Sequence, residues 1–296
     1  MRIAVTGSHG LIGSALVTDL RNSGHDVVQL VRSTPRGPAE VEWDPAAGTV
    51  DLAGLAGVEA AVHLAGAGVG DHRWSDEYKR VIHDSRTLGT RTLVKALTAL
   101  DPLPRVLVSG SAIGYYGDRG DEILTEESSA GDGFLVDVVK DWEAEAAPAA
   151  QAGIRVVHPR SGLVMARSGG AFSPVVLMAR LGLGGPLGSG KQWWSWITLP
   201  DAVAVLTYLL DSELDGPVNM TAPNPASNID ITRAIARALH RPAVLPAPAF
   251  AIRLLLGEFA SEVLSSQRVL PGRLTKSDFQ FQHPTLDDAA AWLTAR

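Results

Sequence analysis

RIAVTGSHGLIGSALVTDLRNSG, residues 2–24, passes from a short apolar run through three glycines into a segment of helical period. Arg2–Thr6 reads as a strand, and the apolar residues spaced three and four apart over Leu11–Asn22 predict an amphipathic helix closed at Gly24. Between them, Gly7 permits the tight turn, Gly10 lets the backbone approach a pyrophosphate, and Gly13 lets the helix pack close to the strand. The first backbone N–H groups of such a helix, those of Leu11, Ile12 and Gly13, have no intrahelical acceptor, and the positive end of the helix dipole lies beside them. Strand, glycine loop and helix in this order predict a dinucleotide-binding site.

Outward from that unit, β-branched runs alternate with helical stretches, the mark of parallel βαβ units. Strands are expected at Asp26–Val31, Ala60–Leu64, Arg105–Ser109 and Ile154–Pro159, with helices near Leu11–Asn22, Ser75–Leu100 and Phe134–Ala150, the last capped by Asp132. The fold class is therefore α/β, a doubly wound parallel sheet with a smaller C-terminal lobe. Residues 1–165 form the nucleotide-binding domain, to which 197–220 return through a helix at Leu199–Leu210 and a strand at Gly216–Met220. The glycine- and proline-rich segments 166–196 and 221–296 make the smaller lobe.

The second strand ends in LVRS, and Arg32 stands nineteen residues past Gly13, where an acidic residue would hold the ribose 2′-hydroxyl of NAD. A guanidinium there, with the Ser33 hydroxyl, suits a 2′-phosphate through paired charge-assisted hydrogen bonds. NADP is the expected cofactor.

Composition narrows the partners. The chain has 296 residues, 46% hydrophobic and 20% charged, with net charge −6 and no block of consecutive cations, so neither nucleic acid nor an anionic membrane is expected. No apolar stretch reaches the ~20 residues needed to span a bilayer, and MRIAVTGSHG lacks the basic region, long apolar run and small-residue cleavage site of a secretory signal. The absence of cysteine removes disulfides and thiolate chemistry and is compatible with a cytoplasmic location. The eight histidines show no metal-ligand spacing, so no metal is expected. A small-molecule partner is what remains.

Several motifs in order resemble the extended short-chain dehydrogenase/reductases, the NAD(P)-dependent epimerase/dehydratases. TGSHGLIG is similar to their TGxxGxxG loop, VHLAG to their His-x-Ala-Ala segment, SGSAIGYYG to their Ser-Ser-x-x-Val-Tyr-Gly stretch, and WITLPDAVAVLTYLL to their late helix start. VEWDP, HLAGAGVGDHRWSDEYKRVIHDSR, KDWE, PRSGLVM and LLLGEFASEVLSSQRVLPGRL resemble an epimerase-like branch carrying a C-terminal domain of unassigned function. That resemblance implies NADP contacts from Val31, Arg32, Leu64, Ala65 with the adjoining Gly66, Arg80, Arg86 and the backbone near Leu163. It also implies an oxidoreductase or epimerase acting on a small carbonyl or sugar-like substrate. By analogy with relatives, two long helices could pair in a homodimer.

One departure bears on mechanism. The wider family uses a Tyr-x-x-x-Lys acid/base pair, but Tyr78, Tyr115, Tyr116 and Tyr208 are followed four residues later by Ile82, Arg119, Gly120 and Ser212. Lys140 lies on the expected helix, four residues after Val136. Ser111 matches the family's catalytic serine, and Tyr115 and Tyr116 follow it in a glycine-flanked loop, so these three are the candidate catalytic groups. The missing pair leaves a second reading open, a non-catalytic NADP(H)-binding sensor or scaffold. Trp193, Trp194 and Trp196 suit either a pocket wall or packing between lobes, His63 reads as a satisfied core histidine, and Glu126–Glu127 and Asp287–Asp288 read as solvated or helix-start charges.

Overall fold

Short apolar runs bounded by glycine become the strands of one sheet. In the computed structural model, which describes residues 1–295, they are β1 (Arg2–Thr6), β2 (Asp26–Val31), β3 (Glu40–Asp44), β4 (Ala60–His63), β5 (Val106–Ser109), β6 (Arg155–Ser161) and β7 (Gly216–Met220). Their order is β7-β6-β5-β4-β1-β2-β3, all neighbours parallel, and Thr49–Val50 adds an antiparallel edge beside β3. This is a doubly wound α/β sheet of the Rossmann type, with the order reversing between β1 and β4, where such sheets open a ligand crevice.

The helices that matter are α1 (Leu11–Asn22), α2 (Asp76–Leu97), α3 (Phe134–Ala144), α4 (Ser173–Arg180), α5 (Leu199–Asp211), α6 (Asn228–Ala238), α7 (Ala249–Leu256) and α8 (Leu286–Thr294). Because strand side chains alternate, Ile3, Val5, Val62 and Val108 face α1 and α5, where Leu16, Leu20, Leu206 and Leu209 complete one core. Ala4, Ala61 and Leu107 face the other way, onto Leu93 and Leu97 of α2. A third core gathers Phe172, Trp194, Trp196, Ile231, Ile235 and Leu293, from the segments expected to form the smaller lobe.

The local differences from the sequence expectation have simple causes. The cap of α3 is Gly133 at φ +125°, not Asp132, and Ser75 caps α2 by accepting from the Tyr78 N–H at 3.1 Å. The expected helix to residue 150 stops at Ala144 and resumes at Ala147–Gln151, because Pro148 has no N–H and is accommodated in a new first turn. Strand β3 was not expected: EVEWD buries only Val41 and Trp43 while its acidic residues look outward, an edge pattern too short to stand out. Trp196 is wholly buried in the third core, so it packs rather than lines a cavity. No helix among the described residues is long and apolar enough to cross a membrane.

Candidate functional site

The glycine loop is built so tightly that only glycine fits at its ends. Gly7 has φ +65°, and a Cβ there would stand 2.7 Å from the Leu64 carbonyl; one on Gly13 would stand 2.2 Å from the Gly7 oxygen. The N-cap of α1 is Gly10, with no side chain bonding into the first turn and no acidic residue in it. The N–H groups of Leu11, Ile12 and Gly13 therefore point outward with a positive dipole end and no internal acceptor, an arrangement suited to phosphate. A loop that sequence reading did not single out shelters this helix start: Gly170 packs on the Leu11 side chain, with room for a Cβ only at 3.0 Å.

Thr6 connects the loop to the end of β4. Its Oγ1 accepts from the backbone N–H groups of Leu64 and Ala65 at 3.1 and 3.2 Å and lies 2.7 Å from Nδ1 of His63. With both lone pairs taken, the hydroxyl proton goes to Nδ1, so His63 carries its own proton on Nε2. Nε2 has no partner, and the histidine is only half satisfied. Burial, with the Arg86 charge adding to it, pushes its pKa down to about 4, so the ring is neutral.

Arg32, Arg80 and Arg86 have no carboxylate partner among the described residues. Arg32 follows the buried Val31 and is exposed together with Ser33; Arg80 is exposed on α2. Arg86 is half-buried, donates to the Ala67 and Ile82 carbonyls at 3.0 Å each, and stacks its guanidinium on Trp142. It also covers Gly66, whose Cβ, if present, would lie 3.4 Å from the guanidinium carbon. Burial lowers its pKa to about 10, the mark of a cation held without a compensating charge. Leu163 starts a short strand, its N–H donating to the Ser195 carbonyl at 2.9 Å.

Beyond the end of β5 a polar cluster forms. Ser111 is buried and donates to Oε1 of Glu143 at 2.6 Å; Arg160 grips the same carboxylate with Nε and Nη2, both at 2.9 Å. Burial alone would raise the Glu143 pKa, but the bidentate arginine and the serine hydroxyl outweigh it, leaving the group below the usual carboxylate value. Arg160 also donates from Nη1 to the Tyr116 hydroxyl at 3.2 Å, and its guanidinium lies 3.4 Å from the centre of the Tyr115 ring. Tyr116 is fully enclosed and donates to Oδ1 of Asn219 at 2.7 Å, burial raising its pKa. Tyr115 is half-buried and its hydroxyl has no partner among the described residues. Glu126 is no solvated charge: it is buried and accepts from the N–H groups of Asn219 and Arg273 at 3.0 and 3.2 Å.

Glu143, Arg160 and Asn219 were not found from sequence. The motifs KDWE and PRSGLVM contain the first two, but nothing in their spacing says that they meet. At the start of α3 lies a cavity of about 300 Å³ lined by Trp74, Gly114, Phe134, Leu135, Glu258 and Glu262 among others. Glu262 has its pKa raised by burial and by the nearby Asp118 charge. A wider open groove of about 680 Å³ between α1 and α5 shares no residue with the glycine loop or with Ser111.

Residues 3–221 match the sequence model of the NAD dependent epimerase/dehydratase family, and residues 247–293 match a domain of unknown function, DUF1731. The epimerase family protein Mb2239 of Mycobacterium bovis is 41% identical, over 99% of this chain and 98% of its own length. The crystal structure of the human epimerase family protein SDR39U1 with NADPH superposes with a TM-score of 0.91 at 34% identity, covering 99% of both chains. The nucleoside-diphosphate sugar epimerase of Corynebacterium glutamicum gives 0.80 at 37% identity, over 98% of this chain and 57% of that one.

Proposed function

The chain belongs to the NAD dependent epimerase/dehydratase family, and from that membership we propose that it is an NADP(H)-dependent oxidoreductase or epimerase acting on a small carbonyl or sugar-like substrate. The observation that carries the reading is a helix start with no side-chain cap behind Gly7, which packs on the Leu64–Ala65 turn, with Arg86 lying over the adjoining Gly66. In this assignment the N–H groups of Leu11, Ile12 and Gly13 take the pyrophosphate, with Gly10 giving it close approach. Arg32 and Ser33 take the 2′-phosphate beyond Val31. Arg80, Arg86, the Leu64–Ala65–Gly66 turn and the backbone near Leu163 line the rest of the cofactor. The human relative described with NADPH supports the choice between the two nicotinamide cofactors.

NADPH, when bound, supplies hydride to a carbonyl carbon, and NADP⁺ takes it back. The protein's part is to hold the substrate oxygen and move a proton. Ser111 donates its hydrogen bond to Glu143, so its lone pairs remain to accept a hydrogen bond from a substrate hydroxyl. Tyr115, half-buried and with no partner for its hydroxyl among the described residues, is the proton donor we assign; Tyr116, wholly enclosed, positions Arg160 instead. The Glu143–Arg160 pair fixes the serine rotamer.

Thermal stabilisation by NADPH tests the binding half, and a chain unmoved by both NADPH and NADH would remove it. Turnover of a carbonyl panel that Ser111→Ala abolishes at unchanged NADPH affinity tests the chemical half. A second reading, a non-catalytic NADP(H) sensor or scaffold, is favoured by α3, where the buried Val136 stands four residues before Lys140 in place of a tyrosine. Bound NADPH with no turnover across that panel would select it.

A further inference from the structure

We propose that the smaller lobe carries a docking face for an anionic phospholipid surface, formed by α4, α7 and the strap before α7. Helix α7 is apolar at nearly every position yet buries only Ile252, while Phe250, Leu254 and Leu255 are 72%, 77% and 72% exposed. Leu177 of α4 and Leu181, the residue that ends it, likewise turn outward. The loop after α4 and the strap before α7 run side by side, because residues 184–188 and 243–247 bond to each other: Leu245 N–H donates to Gly184, Ala247 N–H to Pro186, and Gly188 N–H to Ala247. Val244 extends the patch between the helices. Large apolar side chains exposed to this extent and gathered on neighbouring segments mark an interaction surface rather than an ordinary scatter of single residues.

Charge decides what covers it. Leu177 and Arg180 of α4 with its C-cap Leu181 repeat the spacing of Phe250, Arg253 and Leu254 on α7, so each outward i, i+4 apolar pair is bordered on the same side by an arginine. Arg241 opens the strap. All three guanidinium groups are exposed and unpaired among the described residues. In a chain with 32 acidic residues, none falls within 146–200 or 231–257, and Glu258, just past α7, is tied to Lys79. The net charge of −6 is therefore unevenly distributed, and this lobe face is apolar and cationic. A second copy related by a two-fold axis would set these arginines against each other. A bilayer surface accepts both features at once: the apolar side chains enter the headgroup boundary, and the arginine stems lie along them with their charges on lipid phosphates.

The test is flotation of the full chain with phosphatidylcholine vesicles and with vesicles containing about one-third phosphatidylglycerol. The expected result is binding to the anionic vesicles alone, falling as ionic strength rises from about 0.05 to 0.5 M. Arg180→Glu and Arg253→Glu should each weaken it by roughly fivefold or more, and the double variant Phe250→Ser/Leu254→Ser should abolish it. An unchanged thermal transition in each variant shows that the fold is intact. Failure to bind either vesicle overturns the proposal. So does a wild-type dimer in light scattering that Phe250→Ser/Leu254→Ser converts to monomer, since a second copy would then occupy the face.

Discussion

Thr6 gives its hydroxyl proton to Nδ1 of His63 across 2.7 Å, and through the same oxygen it holds the Leu64 and Ala65 amides against the glycine loop. One side chain on β1 thereby sets both the tautomer of a core histidine and the spacing of two loops at the crevice.

Thr6→Val keeps the shape and removes the oxygen, leaving two amides and a ring nitrogen without their partner. The expected cost is about 2–3 kcal/mol, read as a fall in Tm of roughly 5–10 °C, with weakened NADPH binding. Thr6→Ser should restore most of both. A Thr6→Val protein melting with the wild type would sink the idea.

His63 makes stability depend on mildly acid pH. Its folded pKa, about 4, lies below the unfolded value of 6.5, so the unfolded chain binds the proton first. The neutral ring's contribution is complete above pH 6.5 and is lost as pH falls toward 4, up to about 3 kcal/mol for this group. Urea unfolding at pH 7 and pH 5 should show wild-type stability falling between the two. His63→Gln, which cannot titrate, should show a smaller drop; equal drops would assign the pH dependence elsewhere.

Arg32→Asp exchanges a cation for an anion at the end of β2. Loss of charge-assisted hydrogen bonds to the 2′-phosphate should cost NADPH about 10- to 100-fold in affinity, while NADH binds as well or better. Calorimetric titration with both cofactors reads the ratio, and an unchanged ratio would detach Arg32 from cofactor choice.

Glu143→Gln leaves Arg160, 4% exposed, facing a neutral amide. Breaking one side of such a pair is expected to cost about 3 kcal/mol or more. Because the carboxyl pKa is depressed in the folded chain, the wild type holds this contribution above about pH 4.3 and loses it as pH falls through the lower folded value. Acid unfolding should therefore cost the wild type more than the variant. Identical acid profiles would mean the pair does not act as described.

The expected helix α1 and strands β1 and β2 coincide with the observed elements residue for residue, because each is an uninterrupted periodic run ended by glycine or a charged turn. Elements whose periodicity is short or broken were less legible, as with β3 and the interruption before Pro148.

The sequence by itself determined the glycine loop, the helix behind it and the arginine at the end of β2, since these depend on local backbone freedom and on the character of a single side chain. Only the tertiary structure decided that Ser111, Glu143, Arg160 and Asn219 form one cluster. The serine and the glutamate are 32 positions apart, and Tyr116 and Asn219 are separated by 103. Sheet register and helix packing bring them together, placing Ser111 beside Arg160, and no spacing along the chain encodes that meeting. The same is true of the apolar, cationic face on α4 and α7: two segments unremarkable in themselves become a surface only when backbone bonds between 184–188 and 243–247 set them side by side.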